Sequence, residues 1–313
     1  MNIIKPEKLK QGDVIGIISP SSPVSDRGKL DAGVSYFEKM GYRVKVGKNV
    51  MKERGYLAGT DEERVEDIHD MFLNDDVKLI ICLRGGYGAS RLLDKIDYGI
   101  IKNNPKIFCG YSDITVLQNA FFHKTGLVTF AGPMAGVDFY KDISEFTAEN
   151  FWKSVTSSEL IKVNYPCGER LSSYRSGIAE GRLIGGNLSM FSSLIGTEYL
   201  SEPEGKILFL EEVGEVPYRI DRMLNQLRLS GFLGKIKGVI LGSFTDCMES
   251  DPQRKSLKLE EVMEDYFIKN FHAPVLYNLK HGHINDNLTI PIGVNVRING
   301  TNCNIDFLES HLV

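Results

Sequence analysis

Short β-branched runs and stretches with helical spacing alternate along the first half of the chain. The predicted strands are 14–18, 42–46, 77–83 and 107–109. The predicted helices are 29–40, 62–72, 89–96 and 114–123. A chain in which strands and helices alternate forms a parallel sheet covered by helices. We therefore predict an N-terminal α/β domain over 1–163, with a doubly wound, mostly parallel sheet flanked by helices.

The periodicity is lost between 164 and 178, where proline, glycine and serine accumulate. These residue types favour turns and linkers, so we place the domain boundary at 164–178, with a hinge near Ser172. A C-terminal domain of mixed α/β type is predicted over 179–313. Its predicted elements are strands at 207–211 and 238–244 and helices at 218–229 and 259–268. Near the end, Asn299-Gly300 separates two apolar runs, which predicts a terminal β-hairpin with a type I′ turn.

The composition is that of a globular protein and narrows the possible partners. Of the 313 residues, 42% are hydrophobic and 25% are charged, enough for two domains with their own cores. The net charge is −4 and no block of like charges occurs, so we expect no nucleic-acid partner. No segment approaches the ~18 apolar residues of a membrane span, and the start lacks the features of a signal peptide. Five widely spaced cysteines without a C-x-x-C pair favour free thiols, so we expect a cytoplasmic protein away from the membrane.

The segment 106–115 joins an apolar strand to a predicted helix through Gly110 and Ser112. This is the layout of a nucleophile elbow, in which a tight turn exposes the hydroxyl beside the free N–H groups of a helix start. The second glycine of G-x-S-x-G is absent, because Ile114 stands in its place. An alternative is that Ser112 or Asp113 acts only as the cap of the helix.

A second glycine-rich turn, at 83–91, also joins a strand to a helix. It matches neither the G-x-G-x-x-G fingerprint of dinucleotide sites nor the P-loop. One interpretation is a tight turn that serves only the fold. The other is that a backbone N–H of Gly85 or Gly86 comes close to a reacting carbonyl group, since no Cβ blocks the approach.

Two pairs of residues could supply an acid and a base. Glu211 and Glu212 end an apolar strand and point to opposite faces, and the sequence does not rank them. His281 and His283 lie in a segment rich in asparagine, aspartate and glycine, which predicts a loop. A histidine general base is a better use of this pair than a metal site, because no third ligand is near and H-E-x-x-H is absent.

Taken together, five motifs resemble the LD-carboxypeptidase family of serine peptidases. They are LRGGYGASRLL at 83–93, GYSDIT at 110–115, GGNLSMFSSLIGT at 185–197, LFLEEVGEVPYRIDRML at 208–224 and GHINDNLTIPIG at 282–293. The resemblance covers nearly the whole chain. It implies a catalytic triad of Ser112, Glu211 and His283. It also implies an oxyanion hole made by the backbone N–H groups of Gly86 and Asp113, with no cofactor and no metal.

The activity that the resemblance implies is removal of terminal D-alanine from murein tetrapeptides through an acyl-enzyme, for peptidoglycan recycling in the cytoplasm. Homodimers are also an expectation at the level of the family. Because such a substrate carries several carboxylates, cations near the motifs are candidates for binding it. The candidate substrate-binding residues are Arg84, Tyr87, Tyr218 and Arg219.

Three other functions compete with this hypothesis. A branch of the same family cleaves peptidyl-nucleotide antibiotics of the microcin type and confers self-immunity. A cysteine hydrolase would use Cys109 as the nucleophile, although a thiol inside an apolar strand is expected to be buried and inert. A non-catalytic module would only hold an anion in its glycine turns.

Overall fold

Thirteen strands and eight α-helices lie within residues 2–163, 165, 169–251 and 253–313, which the computed structural model describes. The strands are β1 (Val14–Ile18), β2 (Arg43–Val46), β3 (Val77–Cys82), β4 (Ile107–Gly110), β5 (Thr129–Ala131), β6 (Ser172–Arg175), β7 (Ile178–Asn187), β8 (Lys206–Val213), β9 (Gly238–Thr245), β10 (Val275–Tyr277), β11 (Ile290–Ile292), β12 (Asn295–Asn299) and β13 (Asn304–Phe307). The helices are α1 (Arg27–Lys39), α2 (Asp61–Leu73), α3 (Tyr98–Asn103), α4 (Thr115–Thr125), α5 (Glu145–Thr156), α6 (Leu188–Ser193), α7 (Pro217–Leu229) and α8 (Leu259–Glu264).

The chain forms two units. The first contains Met1–Glu159 together with Leu288–Gly293 and Ser310–Val313, and the second contains Leu160–Asn287 and Val294–Glu309. The sequence pattern assigned the two short late segments to the C-terminal domain, and this assignment is wrong. The segment 288–293 belongs to the first unit because β11 pairs with β5. The segment 310–313 belongs there because His311 hydrogen-bonds the carbonyl of Ser154 at 2.9 Å.

The first unit contains a six-stranded sheet in the order β11-β5-β4-β3-β1-β2. Every pair in it is parallel except β11 with β5, which confirms the mostly parallel, doubly wound α/β fold. All five residues of β1 are buried, as expected of a strand covered on both faces. The predicted helix at 89–96 is wrong in detail. Only Ala89–Leu92 forms a 3₁₀ turn, because the side chain of Asp97 caps Gly99 N and begins α3.

The second unit contains a seven-stranded mixed sheet in the order β13-β12-β7-β8-β9-β10-β6. This confirms the mixed α/β class. Part of the predicted linker is not a linker, because β6 pairs antiparallel with β10 and includes the expected hinge residue Ser172. Other residues of that linker, Asn164 and 166–168, lie outside the described part of the chain. Among the helices that the structure describes, none has both the length and the apolar character needed to cross a membrane.

The terminal hairpin is confirmed, but its turn differs from the prediction. Asn299 pairs with Asn304, so the loop contains the four residues 300–303 and not a two-residue type I′ turn. The residue with positive φ is Cys303, at 53°. Glycine is required at 300 for another reason, since a Cβ there would collide with the carbonyl oxygen of Arg175.

Candidate active site

Ser112 lies in a strained turn between β4 and α4. Its φ is 63°, a left-handed value that costs a residue with a Cβ about 1–2 kcal/mol. Ser112–Ile114 form a 3₁₀ turn that leads into α4. No side chain caps the N-terminus of this turn or of α4. The interpretation of Ser112 or Asp113 as a helix cap is therefore wrong. Ile114 packs closely on Gly110, where an added Cβ would lie 3.0 Å from the isoleucine side chain.

The glycine turn after β3 packs directly against this serine. A Cβ on Gly85 would lie 3.1 Å from Ser112 Cβ and 3.2 Å from its Oγ, so a side chain there would crowd the serine and force it to shift. Gly86 follows with φ of 113°. Two hydrogen bonds of Ser22 stabilise this turn. Its N–H donates to Gly85 O at 3.3 Å, and its Oγ accepts from Tyr87 N at 3.1 Å. Sequence reasoning missed Ser22, although it sits in a serine- and proline-rich loop directly after β1, where ligand sites of α/β sheets occur.

Cys109 is buried in β4 and has the properties of an inert thiol. Its Sγ donates to Pro133 O at 3.6 Å. Burial raises the pKa of Cys109 far above the ordinary value for cysteine, because the interior disfavours the charged thiolate. A nucleophilic cysteine needs the opposite environment. The surroundings of Cys109 therefore do not suit the nucleophile of a cysteine hydrolase.

In the second unit, Glu211 and His283 form a close pair. Glu211 ends the apolar part of β8 and is buried, and its Oε2 lies 2.9 Å from His283 Nδ1. The histidine side chain is 23% exposed, so it remains reachable while its carboxylate partner does not. Gly282 has φ of 133°, and a Cβ there would lie 3.0 Å from Glu211 Oε2. A glycine before the histidine therefore lets the loop come close to the acid.

The neighbours Glu212 and His281 have different surroundings. Glu212 points to the other face of β8, where its carboxylate accepts from Ser189 N at 2.8 Å, Ser189 Oγ at 2.6 Å and Asn187 Nδ2 at 2.9 Å. It thereby holds the start of α6, and burial raises its pKa. His281 is fully buried with its ring against Phe209, at 5.1 Å between centroids. Both residues belong to the core of the unit.

The four candidate substrate-binding residues are divided between the units. Arg84 donates to Pro23 O at 3.1 Å and Tyr87 is 46% exposed, both in the glycine turn of the first unit. In the second unit, Tyr218 and Arg219 lie in the first turn of α7. Arg219 donates to the Tyr218 hydroxyl at 3.2 Å, which lowers the pKa of that phenol, and it pairs with Glu215.

A cavity of about 650 Å³ in the second unit lies next to the histidine loop. Its lining includes Ser243 at the end of β9 and Ile284, which follows the histidine. Tyr174 and Tyr277 also line it, and their rings are stacked at 4.2 Å. No cluster of three or more histidine, cysteine, aspartate or glutamate side chains suited to a metal ion occurs in the described ranges.

A strained serine beside a close-packed glycine turn, and a buried carboxylate that contacts a histidine, are components that hydrolases use. The class of protein is thus a hydrolase with two α/β units. Comparison with known protein families agrees with this class and identifies the family. Residues 15–132 match the model of the LD-carboxypeptidase N-terminal domain, and residues 180–298 match that of the LD-carboxypeptidase C-terminal domain. The chain belongs to the LD-carboxypeptidase family.

Individual relatives are similar over nearly their whole length. The probable murein peptide carboxypeptidase of Bacillus subtilis is 42% identical over 299 residues, which cover 94% of this chain and 91% of the relative. The microcin C7 self-immunity protein MccF of Escherichia coli is 32% identical, with 97% and 95% covered. The crystal structure of a muramoyltetrapeptide carboxypeptidase from Oxalobacter formigenes superimposes with a TM-score of 0.82 at 32% identity, covering 94% of this chain and 97% of that one.

Proposed function

We propose that the protein is a serine LD-carboxypeptidase that removes the terminal D-alanine from murein tetrapeptides. The observation that carries the chemistry is the 2.9 Å contact between the buried Glu211 and His283. The substrate is supported by the relatives whose names state that they act on murein peptides, at up to 42% identity. We also propose that this activity serves peptidoglycan recycling in the cytoplasm.

In the proposed mechanism, Ser112 attacks the carbonyl carbon of the bond between the diamino acid and D-alanine. His283 takes the hydroxyl proton through Nε2, because its Nδ1 faces Glu211. The negative charge of the tetrahedral intermediate is stabilised by the backbone N–H groups of Gly86 and Asp113. His283 then returns the proton to the leaving amine of D-alanine, and a water molecule hydrolyses the acyl-enzyme.

Glu211 has two tasks in this mechanism. Its contact with Nδ1 favours the tautomer in which Nε2 is free to accept a proton. It also stabilises the imidazolium ion that forms when the proton has moved. The second task depends on burial, because a carboxylate screened from water interacts more strongly with the charge beside it. The side chain of Glu211 is 1% exposed.

A second candidate function is hydrolysis of peptidyl-nucleotide antibiotics, as suggested by the 32% identity to MccF. A nucleobase needs an aromatic surface, and the stacked Tyr174 and Tyr277 beside the histidine loop supply one. The triad and the oxyanion hole would be the same in both functions. Only the group bound beyond the scissile bond would differ.

The test is mass spectrometry of the tetrapeptide L-Ala-D-Glu-diamino acid-D-Ala after incubation with the wild type and with Ser112→Ala. We expect the wild type alone to release one alanine. If neither protein releases it while both are folded, the murein assignment is wrong, and an aminoacyl-nucleotide amide becomes the next substrate. The elution volume of the wild type with light scattering would test the homodimer that we also propose.

A further inference from the structure

Three loops meet around the strained serine in the first unit. They follow β1, β3 and β4, and they contain Ser21, the glycine turn and Ser112. In a parallel sheet the carboxyl ends of neighbouring strands lie at one edge, so these loops are adjacent although they are far apart in sequence. The proposed oxyanion hole takes one N–H from the second loop and one from the third. Its geometry therefore depends on how these loops are held together.

The side chain of Asp113 connects all three loops. It is 1% exposed, and its Oδ2 accepts from Ser21 Oγ at 2.6 Å and from Ala89 N at 2.9 Å. Neither partner belongs to α4, so this carboxylate does not cap the helix that it precedes. Burial raises the pKa of Asp113 and the two hydrogen bonds partly oppose this shift. Burying a carboxyl group away from water costs free energy unless hydrogen bonds compensate for the lost hydration.

The effect of Asp113 reaches Gly86 by two routes. The bond to Ala89 N fixes the end of the glycine turn directly. The bond to Ser21 fixes the loop whose next residue, Ser22, hydrogen-bonds both Gly85 and Tyr87. The turn is thus held on both sides of the N–H that would contact the oxyanion.

A buried arginine reinforces the same two loops. Arg64 donates through Nη1 to Pro20 O at 2.6 Å and to Gly88 O at 2.9 Å. Its Nη2 pairs with Asp61, which also pairs with Arg91. Arg64 fastens the loops after β1 and β3 to each other but makes no hydrogen bond to the serine turn. Asp113 hydrogen-bonds both of the other loops from the serine turn, which Arg64 does not.

We propose that the carboxylate of Asp113 is a positioning residue that holds the glycine turn in register with Ser112 and so completes the oxyanion hole. The inference concerns the side chain of Asp113, whereas the proposed function uses only its backbone N–H. It rests on the proposed function for its catalytic consequence. Its structural consequence can be measured without any substrate.

The experiment compares Asp113→Ala, Asp113→Asn and Ser21→Ala with the wild type in the full-length protein. A matched control is Asp67→Ala, since Asp67 is another buried carboxylate of the first unit, whose hydrogen bonds go to Asn49. The substrate-independent measurement is hydrogen exchange of peptides that cover 83–92. We expect faster exchange there in Asp113→Ala and Ser21→Ala, and no change in Asp67→Ala.

The kinetic measurement is release of D-alanine. We expect Asp113→Ala to lower kcat by about 10- to 100-fold with KM within about threefold, because a small displacement of the donors weakens only transition-state binding. Asp113→Asn keeps an acceptor oxygen, so it should restore most of this loss. Asp67→Ala, if folded, should keep the wild-type kcat.

Three results would overturn the inference. One is unchanged exchange of 83–92 in Asp113→Ala, which would apply whatever the substrate is. The second is a wild-type kcat in the folded Asp113→Ala variant. The third is an equal loss of kcat in Asp113→Ala and Asp67→Ala, which would indicate general destabilisation. If the wild type itself does not act on the tetrapeptide, the proposed function fails, and the exchange data still decide the inference.

Discussion

Replacement of Glu211 by glutamine tests the proposed mechanism at its best-defined contact. The change removes the charge beside His283 Nδ1 and keeps the shape of the side chain. Glutamine can also donate its amide N–H to Nδ1, which favours the wrong tautomer of the imidazole for proton transfer to Nε2. We therefore expect a folded protein that binds substrate and reacts slowly.

The magnitude follows from the 2.9 Å contact. Two unit charges about 4 Å apart interact by about 4 kcal/mol at the effective dielectric constant of ~20 that describes protein sites. This stabilisation exists only after His283 has become protonated, so it lowers the barrier and not the energy of the bound substrate. A loss of about 4 kcal/mol corresponds to a fall in kcat of about 10³-fold, with little change in KM.

The assay is release of D-alanine under saturating tetrapeptide, with unfolding measured on the same samples. The control is Glu212→Gln, because Glu212 is the adjacent buried glutamate and bonds only to the start of α6 and to its own strand. We expect this control to lose about 1–3 kcal/mol of stability and to keep its kcat when folded. The reasoning is refuted if Glu212→Gln abolishes turnover while Glu211→Gln retains it.

Four further outcomes are expected from features of the structure. Gly85→Ala should lower kcat by about 10- to 100-fold in the tetrapeptide assay, since its Cβ would crowd Ser112 at 3.1 Å. Ser112→Gly should raise the free energy of unfolding in urea by about 1 kcal/mol relative to Ser112→Ala, because glycine accepts φ of 63°. Iodoacetamide should not inactivate the wild type, and Cys109→Ala should keep its kcat, since the thiol is buried. Burial lowers the pKa of His311 to about 4, so the unfolded chain binds its proton first as pH falls, and stability should drop by up to about 3 kcal/mol between pH 6.5 and 4. His311→Asn should show a smaller drop over the same range in urea titrations.

Hydrophobic periodicity predicted the strands of the first sheet closely. The prediction at 14–18 matches β1 residue for residue, and 77–83 differs from β3 by one. These strands are buried on both faces, so their apolar runs are continuous and easily recognised. The short strands β5 and β11 were missed. Each has only three residues, which is too short for a pattern, and β11 joins the sheet from a distant part of the chain.

The candidate site was predictable as a set of motifs but not as a set of contacts. Strand alternation showed that Glu211 and Glu212 face opposite sides, yet the residues alone could not say which one meets a histidine. That choice depends on Gly282, whose missing Cβ lets the loop reach Glu211. Likewise, the Ser-rich loop after β1 carries no motif of its own. Its role appears only when Ser22 is seen to hold Gly85.

Buried carboxylates at the ends of strands are a common element of both units. Glu211, Glu212 and Asp113 are all nearly inaccessible, and each would be costly to bury alone. The three carboxylates differ in their partners. Glu212 and Asp113 accept mainly from backbone N–H and hydroxyl groups, which do not change charge. Glu211 contacts a histidine, whose charge can change by protonation. Only the pair of Glu211 and His283 can stabilise a charge that forms during a reaction. The other two act only by fixing geometry. Loss of Asp113 should therefore lower kcat only through the position of the glycine turn, and loss of Glu212 should lower stability without changing kcat.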